Sequence, residues 1–425
     1  MKRILLLLTV GIATLCASAS NRYVSPTGDD GNGKSWEHAK TTIAGAIWDV
    51  GDGDTMFIAA GVYNEGISAQ NGATYLGGYD AETGLRDPEL YETIIDGTGR
   101  TTWSLVKYDG DPAERITIDG LVFRNANHSE WGGAAMYLRG NMTVNNCVFR
   151  NNTSGSKAGG MFIDPSGTEQ TIISNCLFEY CNNTAGDQAA AISGEDKTNL
   201  NVLVENCVIR GCTGDVMIYS RAGMTVRNCV LYNNHASKNG CLYGKGAFIN
   251  CTVANNTGVE ARYAGCRVEG TVVNSVFWGN TAPNAPNVNY VASGKCTYSI
   301  ADAGSGITLG LSTNNMDADG PNFRNPTGFA GVPKTDAEKL AVANADFSLT
   351  DASVKLLNVG DASQTPATDI LGVTRPKGTG VDLGGGLTTG HRPHWGRAQS
   401  LPSGARHRWL RHQRFLPAPP RQQQW

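Results

Sequence analysis

Short runs in which apolar and polar residues alternate fill most of the chain, and they predict β-strands. Two examples are residues 142–145 (MTVN) and 224–227 (MTVR), in which every second position is apolar. This period of two is typical of strands that bury one face, because successive side chains point to opposite sides. Clusters rich in Asn and Gly separate the runs, and β-branched residues are frequent, so helices are disfavoured. The pattern predicts an all-β protein built from many short strands.

The strands recur with a period of about one coil of a β-solenoid. A four-residue marker of the type Asn-Cys-Val-Phe occurs seven times, and the steps between copies are 26, 29, 31, 22, 22 and 24 residues. The copies end at Phe123, Phe149, Phe178, Ile209, Leu231, Val253 and Phe277. One strand-turn-strand unit cannot bury its inner face alone, so the units must stack around a continuous core. We therefore expect roughly nine to eleven coils.

Asn-rich turns follow the markers, for example at residues 151–152, 233–234 and 255–256. Asn tolerates the left-handed backbone conformation that sharp corners need. Its side-chain amide can also form hydrogen bonds with neighbouring groups. We therefore expect columns of asparagines that form hydrogen bonds from coil to coil.

The cysteines occupy repeated positions and do not have the spacing of a disulfide framework. Of eleven, five share one marker position, namely Cys147, Cys176, Cys207, Cys229 and Cys251. We expect inward-facing thiols that pack as small apolar groups. A disulfide between Cys181 and Cys212 stays open as an alternative, although coils stack roughly 4.8 Å apart and a bridge needs a shorter Cβ separation. No CxxC motif accompanies the cysteines, so zinc is not expected.

Several motifs carry a resemblance to a known family. The pairs Gly132-Gly133 and Gly159-Gly160, with Phe149-x-x-Asn152 and Phe277-x-x-Asn280, are similar to the repeats of right-handed parallel β-helix proteins of the pectin-lyase-like superfamily. They also look like the short repeats of chlamydial polymorphic outer-membrane proteins. The resemblance implies a single-stranded right-handed parallel β-helix with caps at both ends. It implies no single activity, because this fold carries lyases, hydrolases and adhesins.

The two ends of the chain extend the resemblance. Residues 23–28 (YVSPTG), 35–36, 44–46 and 53–63 look like the opening coil and capping helix of secreted bacterial members. Residues 319–323 and 369–384 resemble a choice-of-anchor Q domain, which implies an irregular carboxy-terminal cap. The predicted organisation is a signal peptide, an N-terminal cap with the first coils, the β-helix repeats, the C-terminal coils with their cap, and a basic tail. The signal peptide spans residues 1–20, the N-terminal cap with the first coils 21–110, the repeats 111–300, the C-terminal coils with their cap 301–384, and the tail 385–425.

The amino terminus predicts export. Lys2 and Arg3 precede an apolar run over residues 4–13, and Ala-Ser-Ala at 17–19 supplies a cleavage site. The run is too short to span a bilayer, and no later segment is longer, so no transmembrane segment is expected. Lipidation of Cys16 is a weaker alternative, because Leu15 is larger than the residue that such sites prefer. We expect a secreted, extracellular or outer-surface protein.

The charge of the chain is unevenly distributed. The formal net charge is -3, but the last 41 residues contain seven arginines and no acid. Residues 21–384 therefore carry 26 basic and 38 acidic side chains, a net charge of about -12. An acidic body disfavours nucleic acid as a partner. The basic tail is interpreted as non-native or, alternatively, as a segment that contacts an acidic surface.

A second alignment, of the strand before each marker, predicts a ligand-binding face. If the first and third positions of these strands point inward, the other two form an aromatic row beside a charged row on the outside. The predicted binding residues are Tyr137, Phe162, Tyr219, Tyr243, Arg139 and Arg267. Such rows suit a polysaccharide or surface glycan, because rings stack on sugars and charged groups bind hydroxyls and carboxylates. The alternative is a structural stack of rings with ordinary surface ion pairs.

The enzymatic alternative is a polysaccharide lyase of the pectate-lyase-like type, which acts on acidic glycans by β-elimination. The resemblance implies calcium held by carboxylates and a basic Arg or Lys, and the candidate catalytic residues are Asp164, Glu195, Asp196, Arg221 and Lys245. Calcium is also considered at the acidic turns 109–111 and 317–320. His38, His128 and His235 are expected to be solvated turn residues.

The preferred interpretation is a monomeric surface or secreted protein that binds a polysaccharide or a surface partner without catalysis. The lyase is the second interpretation, and a structural stalk is the third.

Overall fold

The computed structural model describes residues 19–384, apart from 101–102, 112, 130, 167–168, 187, 196–200, 260–261, 286–287, 293–294, 303–313, 317–319, 371, 373 and 376–380. Its strands form a parallel β-helix, which confirms the predicted all-β solenoid. The signal peptide through residue 18, the tail 385–425 and the candidate Asp196 lie outside the described residues.

Each full coil contributes strands to three columns. Two columns belong to one sheet of 22 strands, here called sheet A, and the third is a sheet of 11 strands, here called sheet B, as counted in the described part of the chain. Strands of successive coils pair in parallel, as between Met136–Arg139 and Met161–Asp164. The two longest strands, Thr213–Arg227 and His235–Ile249, run through both columns of sheet A.

The strands of sheet A are Asn21–Val24, Thr55–Ala59, Ile67–Ser68, Thr74–Tyr79, Val106–Asp109, Arg115–Asp119, Asn127–His128, Met136–Arg139, Asn141–Asn145, Thr153–Ser154, Met161–Asp164, Thr171–Ser174, Asn182–Asn183, Ala189–Gly194, Val202–Glu205, Thr213–Arg227, His235–Ile249, Thr257–Gly258, Cys266–Val268, Thr271–Val273, Asn289–Val291 and Cys296–Thr297. The strands of sheet B are Gly61–Tyr63, Thr93–Asp96, Leu121–Arg124, Val148–Arg150, Leu177–Glu179, Val208–Arg210, Val230–Tyr232, Thr252–Ala254, Val276–Trp278, Ile300–Asp302 and Asn314–Met316. The described helices are one α-helix, Asp336–Asn344, and two 3-10 turns, Ile47–Asp49 and Ala362–Gln364.

The marker alignment predicts the register of sheet B correctly. Phe149 pairs with Phe123 on one side and with Phe178 on the other, and all three are fully buried. Their rings stack with centroids 5.4 and 4.5 Å apart. The same column continues through aliphatic residues to Phe277. The repeated position therefore forms the centre of the continuous core.

Asparagines stabilise the corners of the coils, as the sequence predicts. One set has left-handed backbone, with φ between 51° and 56° at Asn146, Asn151, Asn175, Asn206, Asn228, Asn233, Asn250, Asn255 and Asn274. A second set points inward and is buried, at Asn152, Asn234, Asn256 and Asn280. Each inward amide donates to a backbone carbonyl of the preceding coil, as from Asn256 Nδ2 to the Leu231 oxygen at 3.0 Å. We call this second set the asparagine ladder.

The cysteines are buried free thiols. All ten that the structure describes are unbridged, Cys181 and Cys212 included. These two occupy the place of asparagine in two rungs of the ladder, because their thiols donate to the backbone carbonyls of Phe149 and Phe178 at 3.5 and 3.7 Å. Burial raises the pKa of Cys212 well above its ordinary value. The thiols therefore pack as small apolar groups.

The amino-terminal end of the core is covered by a short apolar segment. Ile43, Ala46, Ile47 and Val50 are buried and join the main core. The resemblance implied a capping helix here, but the segment contains only the single 3-10 turn Ile47–Asp49.

The carboxy-terminal region lies along the outer side of sheet B. We expected it to cover the far end of the solenoid, but residues 320–384 make their apolar contacts on the flank. There Phe323, Val342, Phe347, Leu349, Leu356 and Leu383 pack on outward-facing residues of sheet B such as Val208, Val230 and Val276. The flank is apolar on both faces of its strands, and such strands must be covered on both sides.

Polar contacts fix the position of this region on the flank. Asn255 donates from Nδ2 to the backbone oxygen of Thr327 at 2.9 Å, and the Tyr232 hydroxyl donates to the Val342 oxygen at 3.0 Å. Arg210 is buried beneath the α-helix and forms an ion pair with Glu179 at 2.7 Å. The packing of the α-helix on this flank therefore depends on Glu179, which neutralises the buried charge of Arg210.

Candidate ligand-binding site

The first column of sheet A is the one that contains the strands Val106–Asp109, Met136–Arg139 and Met161–Asp164. Strand pairing in this column aligns the two predicted outer rows. Tyr137 pairs with Phe162, and Arg139 pairs with Asp164. Met136 and Leu138 between them are fully buried, whereas Tyr137 is half-buried and Arg139 is exposed. The inside-outside alternation therefore follows the sequence alignment. We call the outer row that begins at Lys107 the aromatic column; its members are Lys107, Tyr137, Phe162, Ser193, Tyr219, Tyr243, Arg267 and Tyr290.

The rings of the aromatic column stack in two groups. Tyr137 and Phe162 have centroids 5.9 Å apart with nearly parallel planes, and Tyr219 and Tyr243 lie 4.6 Å apart. Ser193 separates the two groups, and it is fully buried. The predicted structural stacking is therefore present, and Tyr137, Tyr219 and Tyr243 remain half-buried within it.

Phe162 is not accessible, although the sequence analysis included it among the binding residues. Its side chain is fully buried, because the Trp131 ring packs on it edge-to-face with centroids 4.9 Å apart. Lys157 also lies over its ring, with Nζ 5.5 Å from the centroid. The accessible surface at this coil is therefore that of Trp131 and Lys157.

Trp103 and Trp131 are exposed aromatic residues that the sequence analysis missed. They are 57% and 52% exposed. Both precede a strand of the first column, and the Ser104 hydroxyl donates to the Gly133 oxygen, so the two loops are adjacent. A lysine lies over each ring, Lys107 at 4.4 Å and Lys157 at 5.4 Å from the centroid. Each of these cation–π contacts is worth about 0.5–1 kcal/mol at an exposed site.

The charged row begins with an internal network. Arg139 contacts Asp109 at 3.4 Å and Asp164 at 3.6 Å. Burial raises the pKa of Tyr137, and the carboxylates of Asp109 and Asp164 add to this effect. The candidate acid Asp164 is therefore already engaged by a neighbouring arginine. Arg139, a predicted binding residue, is held between two carboxylates.

Three further basic residues lie along the same face, Arg221 and Lys245 in the charged row and Arg267 in the aromatic column. The Arg221 guanidinium lies over the Tyr219 ring, 4.1 Å from its centroid, and Nη2 donates to Gln188 Oε1 at 3.4 Å. Arg267 lies over Tyr243 at 5.3 Å. Lys245 is exposed on the coil between them. These residues surround the second group of rings.

The candidate catalytic residues that the structure describes, Asp164, Glu195, Arg221 and Lys245, lie on four successive coils. Asp164 and Arg221 are separated by two coil steps, about 10 Å. Glu195 is half-buried, and its backbone amide donates to the Ile163 oxygen at 2.9 Å.

No expected calcium site is formed in the part of the chain that the structure describes, which contains no group of three His, Cys, Asp or Glu side chains able to hold a metal ion. In the turn 109–111, Asp111 Oδ1 accepts the Ala113 amide, as in an ordinary turn. The other acidic turn, 317–320, lies outside the described residues except for Gly320.

Two of the three histidines are not the solvated turn residues we expected. His38 is exposed and forms an ion pair with Asp29 at 2.8 Å, in agreement with the prediction. His128, however, is buried in the strand Asn127–His128. His235 begins a long strand, is half-buried, and has its pKa lowered by burial.

One comparison with known protein families supports the fold. The profile of the family described as "Right handed beta helix region" matches residues 108–282. The fold is therefore a right-handed parallel β-helix. No curated protein sequence matches this chain. No helix in the described part of the chain is long and apolar enough to cross a membrane.

Among solved structures, the chain is similar to pectate lyase Pel9A, with 14% identity over 88% of this chain and 97% of that one, and a TM-score of 0.41. It is also similar to a rhamnogalacturonan lyase, with 13% identity over 79% of this chain and 97% of that one, and a TM-score of 0.36. At these values the similarities carry no inference about activity.

Proposed function

We propose that this protein binds a polysaccharide along the aromatic column of sheet A and does not cleave it. The ligand lies across successive coils, parallel to the axis of the solenoid. From Lys107 to Tyr290 the column covers seven coil steps, roughly 34 Å. A surface of this length suits a polymer better than a small molecule, which a concave pocket would enclose.

One observation carries the proposal. Aromatic rings are presented at the surface on several coils of the same face, and each group of rings has basic side chains beside it. Trp131 and Tyr290 are 52% and 41% exposed and belong to a row of rings on one face, which is more informative than a single exposed ring. Rings of this type contact the apolar faces of sugars while neighbouring polar groups bind the hydroxyls.

The geometry favours binding over β-elimination. A lyase needs a base positioned at the sugar carbon and a cation that neutralises the acidic group. Here Asp164 interacts with Arg139 and is two coils from Arg221. Among the described residues, the row therefore offers contacts spread over several coils along a polymer.

We further propose that the protein acts outside the cell, either secreted or held at the outer surface. The support is the amino-terminal sequence, with Lys2 and Arg3 before a short apolar run and a small-residue cleavage site.

The test is retention of the full chain on a panel of neutral and acidic polysaccharides by affinity gel electrophoresis, with an assay for unsaturated sugar product on the same samples. We expect retention by at least one polymer without product. The double variant Tyr219→Ala/Tyr243→Ala should weaken retention at least tenfold, because two stacked rings are lost. Trp48→Ala is the matched control, since Trp48 is 77% exposed but belongs to the amino-terminal cap. Equal retention of both variants, or formation of product, would refute the proposal.

A further inference from the structure

The two halves of the aromatic column differ in how their charges are compensated. In the amino-terminal half, Arg139 lies between two carboxylates, at 3.4 Å from Asp109 and 3.6 Å from Asp164. Lys107 and Lys157 lie on the rings of Trp103 and Trp131. The arginine of this half is therefore neutralised within the protein, and the exposed surface is dominated by the two tryptophans.

The carboxy-terminal half carries three basic side chains without a carboxylate partner in the described part of the protein. Arg221, Lys245 and Arg267 lie on three successive coils, since Tyr219 pairs with Tyr243 and Tyr243 pairs with Arg267. None of the three forms an ion pair with a described acid, whereas Arg139 forms two. The guanidinium groups of two of them lie over tyrosine rings, Arg221 over Tyr219 and Arg267 over Tyr243.

Two acids of the same face lie near these cations, Glu195 one coil step before Arg221 and Glu269 on the coil of Arg267. Glu269 is exposed on the coil of Arg267, and no ion pair joins it to Lys245 among the residues that the structure describes. Asp215 accepts a short hydrogen bond from the Ser237 hydroxyl. Arg267 instead donates from Nη1 to the amide oxygen of Asn239 at 2.8 Å. The two arginines are thus held in place by neutral partners, Tyr219 and Gln188 for Arg221 and Tyr243 and Asn239 for Arg267.

We infer that Arg221, Lys245 and Arg267 form a subsite for the anionic groups of an acidic polysaccharide, while the tryptophan half contacts its uncharged sugar faces. This inference rests on the proposed function and adds the chemical class of the ligand. The anionic groups are carboxylates or sulfate esters, both of which pair with guanidinium and ammonium groups.

Charge complementarity supports an anionic occupant. The body of the chain, residues 21–384, has a net charge of about -12, so its overall field repels polyanions. Arg221, Lys245 and Arg267 nevertheless place three cations on adjacent coils of this face, none of them in an ion pair with a described acid. They are spaced about 5 Å apart per coil step along the axis, and the tyrosine rings fix two of them before the ligand arrives. Less side-chain entropy is then lost on binding.

The test measures the affinity of the full chain for four polymers at low and at physiological ionic strength. Polygalacturonate and its fully methyl-esterified form differ only in their carboxylates, and dextran sulfate and dextran differ only in their sulfate esters. The variant is Arg221→Gln/Lys245→Gln/Arg267→Gln. The control is Lys34→Gln/Lys334→Gln/Lys339→Gln, which removes the same charge from exposed positions elsewhere.

We expect the protein to prefer one acidic polymer over its uncharged partner, and the pair in which this happens identifies carboxylate or sulfate. The subsite variant should lose at least tenfold in affinity for that polymer at low salt, and its affinity should depend less on ionic strength. The control variant should lose less than twofold. Lys245→Gln alone, at an exposed side chain without an ion pair, should weaken binding even if the triple variant fails to fold.

Two results would overturn the inference in different ways. If Tyr219→Ala/Tyr243→Ala abolishes binding but the three glutamine substitutions leave the affinity unchanged, the proposed function stands and the anionic subsite is refuted. If none of the four polymers is retained, the anionic subsite is refuted as well. Failure of the larger neutral and acidic panel would then also refute the proposed function.

Discussion

Removal of one rung of the asparagine ladder should destabilise the solenoid strongly. Asn256 is fully buried and takes part in four side-chain hydrogen bonds. Its Oδ1 accepts the backbone amide of Asn234 at 2.9 Å and the side-chain amide of Asn234 at 3.0 Å. Its Nδ2 donates to the Leu231 oxygen at 3.0 Å and to Asn280 Oδ1 at 2.9 Å. The substitution Asn256→Ala removes all four.

The magnitude follows from these contacts. A net hydrogen bond contributes about 1 kcal/mol, and a buried group left without a partner costs about 1–3 kcal/mol. Asn256→Ala should therefore lower the free energy of unfolding by about 4 kcal/mol. The neighbouring Asn255→Ala is the matched control, because this amide points outward and donates to Thr327 at 2.9 Å. The loss of its two hydrogen bonds, together with alanine in a left-handed conformation, should cost about 3 kcal/mol, so the two variants are distinguished by where protection is lost.

The assay combines guanidinium denaturation with amide hydrogen exchange. In Asn256→Ala the backbone amide of Asn234 should lose protection, whereas in Asn255→Ala it should keep it and the carboxy-terminal region near Thr327 should exchange faster. A cost below about 1 kcal/mol for Asn256→Ala would refute the reasoning. So would unchanged protection at Asn234.

Three further predictions concern buried ionisable groups. Glu179→Gln should lower the free energy of unfolding by about 3–5 kcal/mol, because it leaves the buried charge of Arg210 without its carboxylate. Amide exchange should also become faster in the helix Asp336–Asn344. Unchanged exchange there would contradict the packing of this helix on sheet B. Burial lowers the pKa of His235, so unfolding should become easier as the pH falls below about 6.5, and His235→Gln should flatten this part of the pH profile of the unfolding midpoint. The described cysteines should react with a thiol reagent only after denaturation, because they are buried. Burial also raises the pKa of thiols such as Cys207 and Cys229, which disfavours the reactive thiolate. Rapid labelling of the native protein would contradict their burial.

The repeated part of the fold was predictable because it has a period. Phe149 and Phe178 occupy equivalent marker positions in the sequence, and they pair in the structure. The outward direction of Tyr137 and Tyr219 was predictable for the same reason, since alternation within a strand fixes which face a side chain occupies. The position of a residue on a regular strand is fixed by its place in the repeat.

The parts that were missed lie where the period fails. Trp103 and Trp131 belong to loops that precede strands of the first column, and loop lengths vary between coils, so no alignment predicted that Trp131 covers Phe162. The position of the carboxy-terminal region was also missed, because it depends on contacts between residues far apart in sequence. A signal was nevertheless present, since the strands Val208–Arg210 and Val230–Tyr232 are apolar at adjacent positions, as expected of strands covered on both faces.

The most direct test of the central claim is a crystal structure of the full chain with an oligosaccharide prepared from whichever polymer it retains. The account predicts an intact oligosaccharide along the aromatic column, in contact with Tyr219 and Tyr243 and with its acidic groups beside Arg221, Lys245 and Arg267. An oligosaccharide bound on the flank of sheet B or at an end of the solenoid would contradict the account, as would one found cleaved.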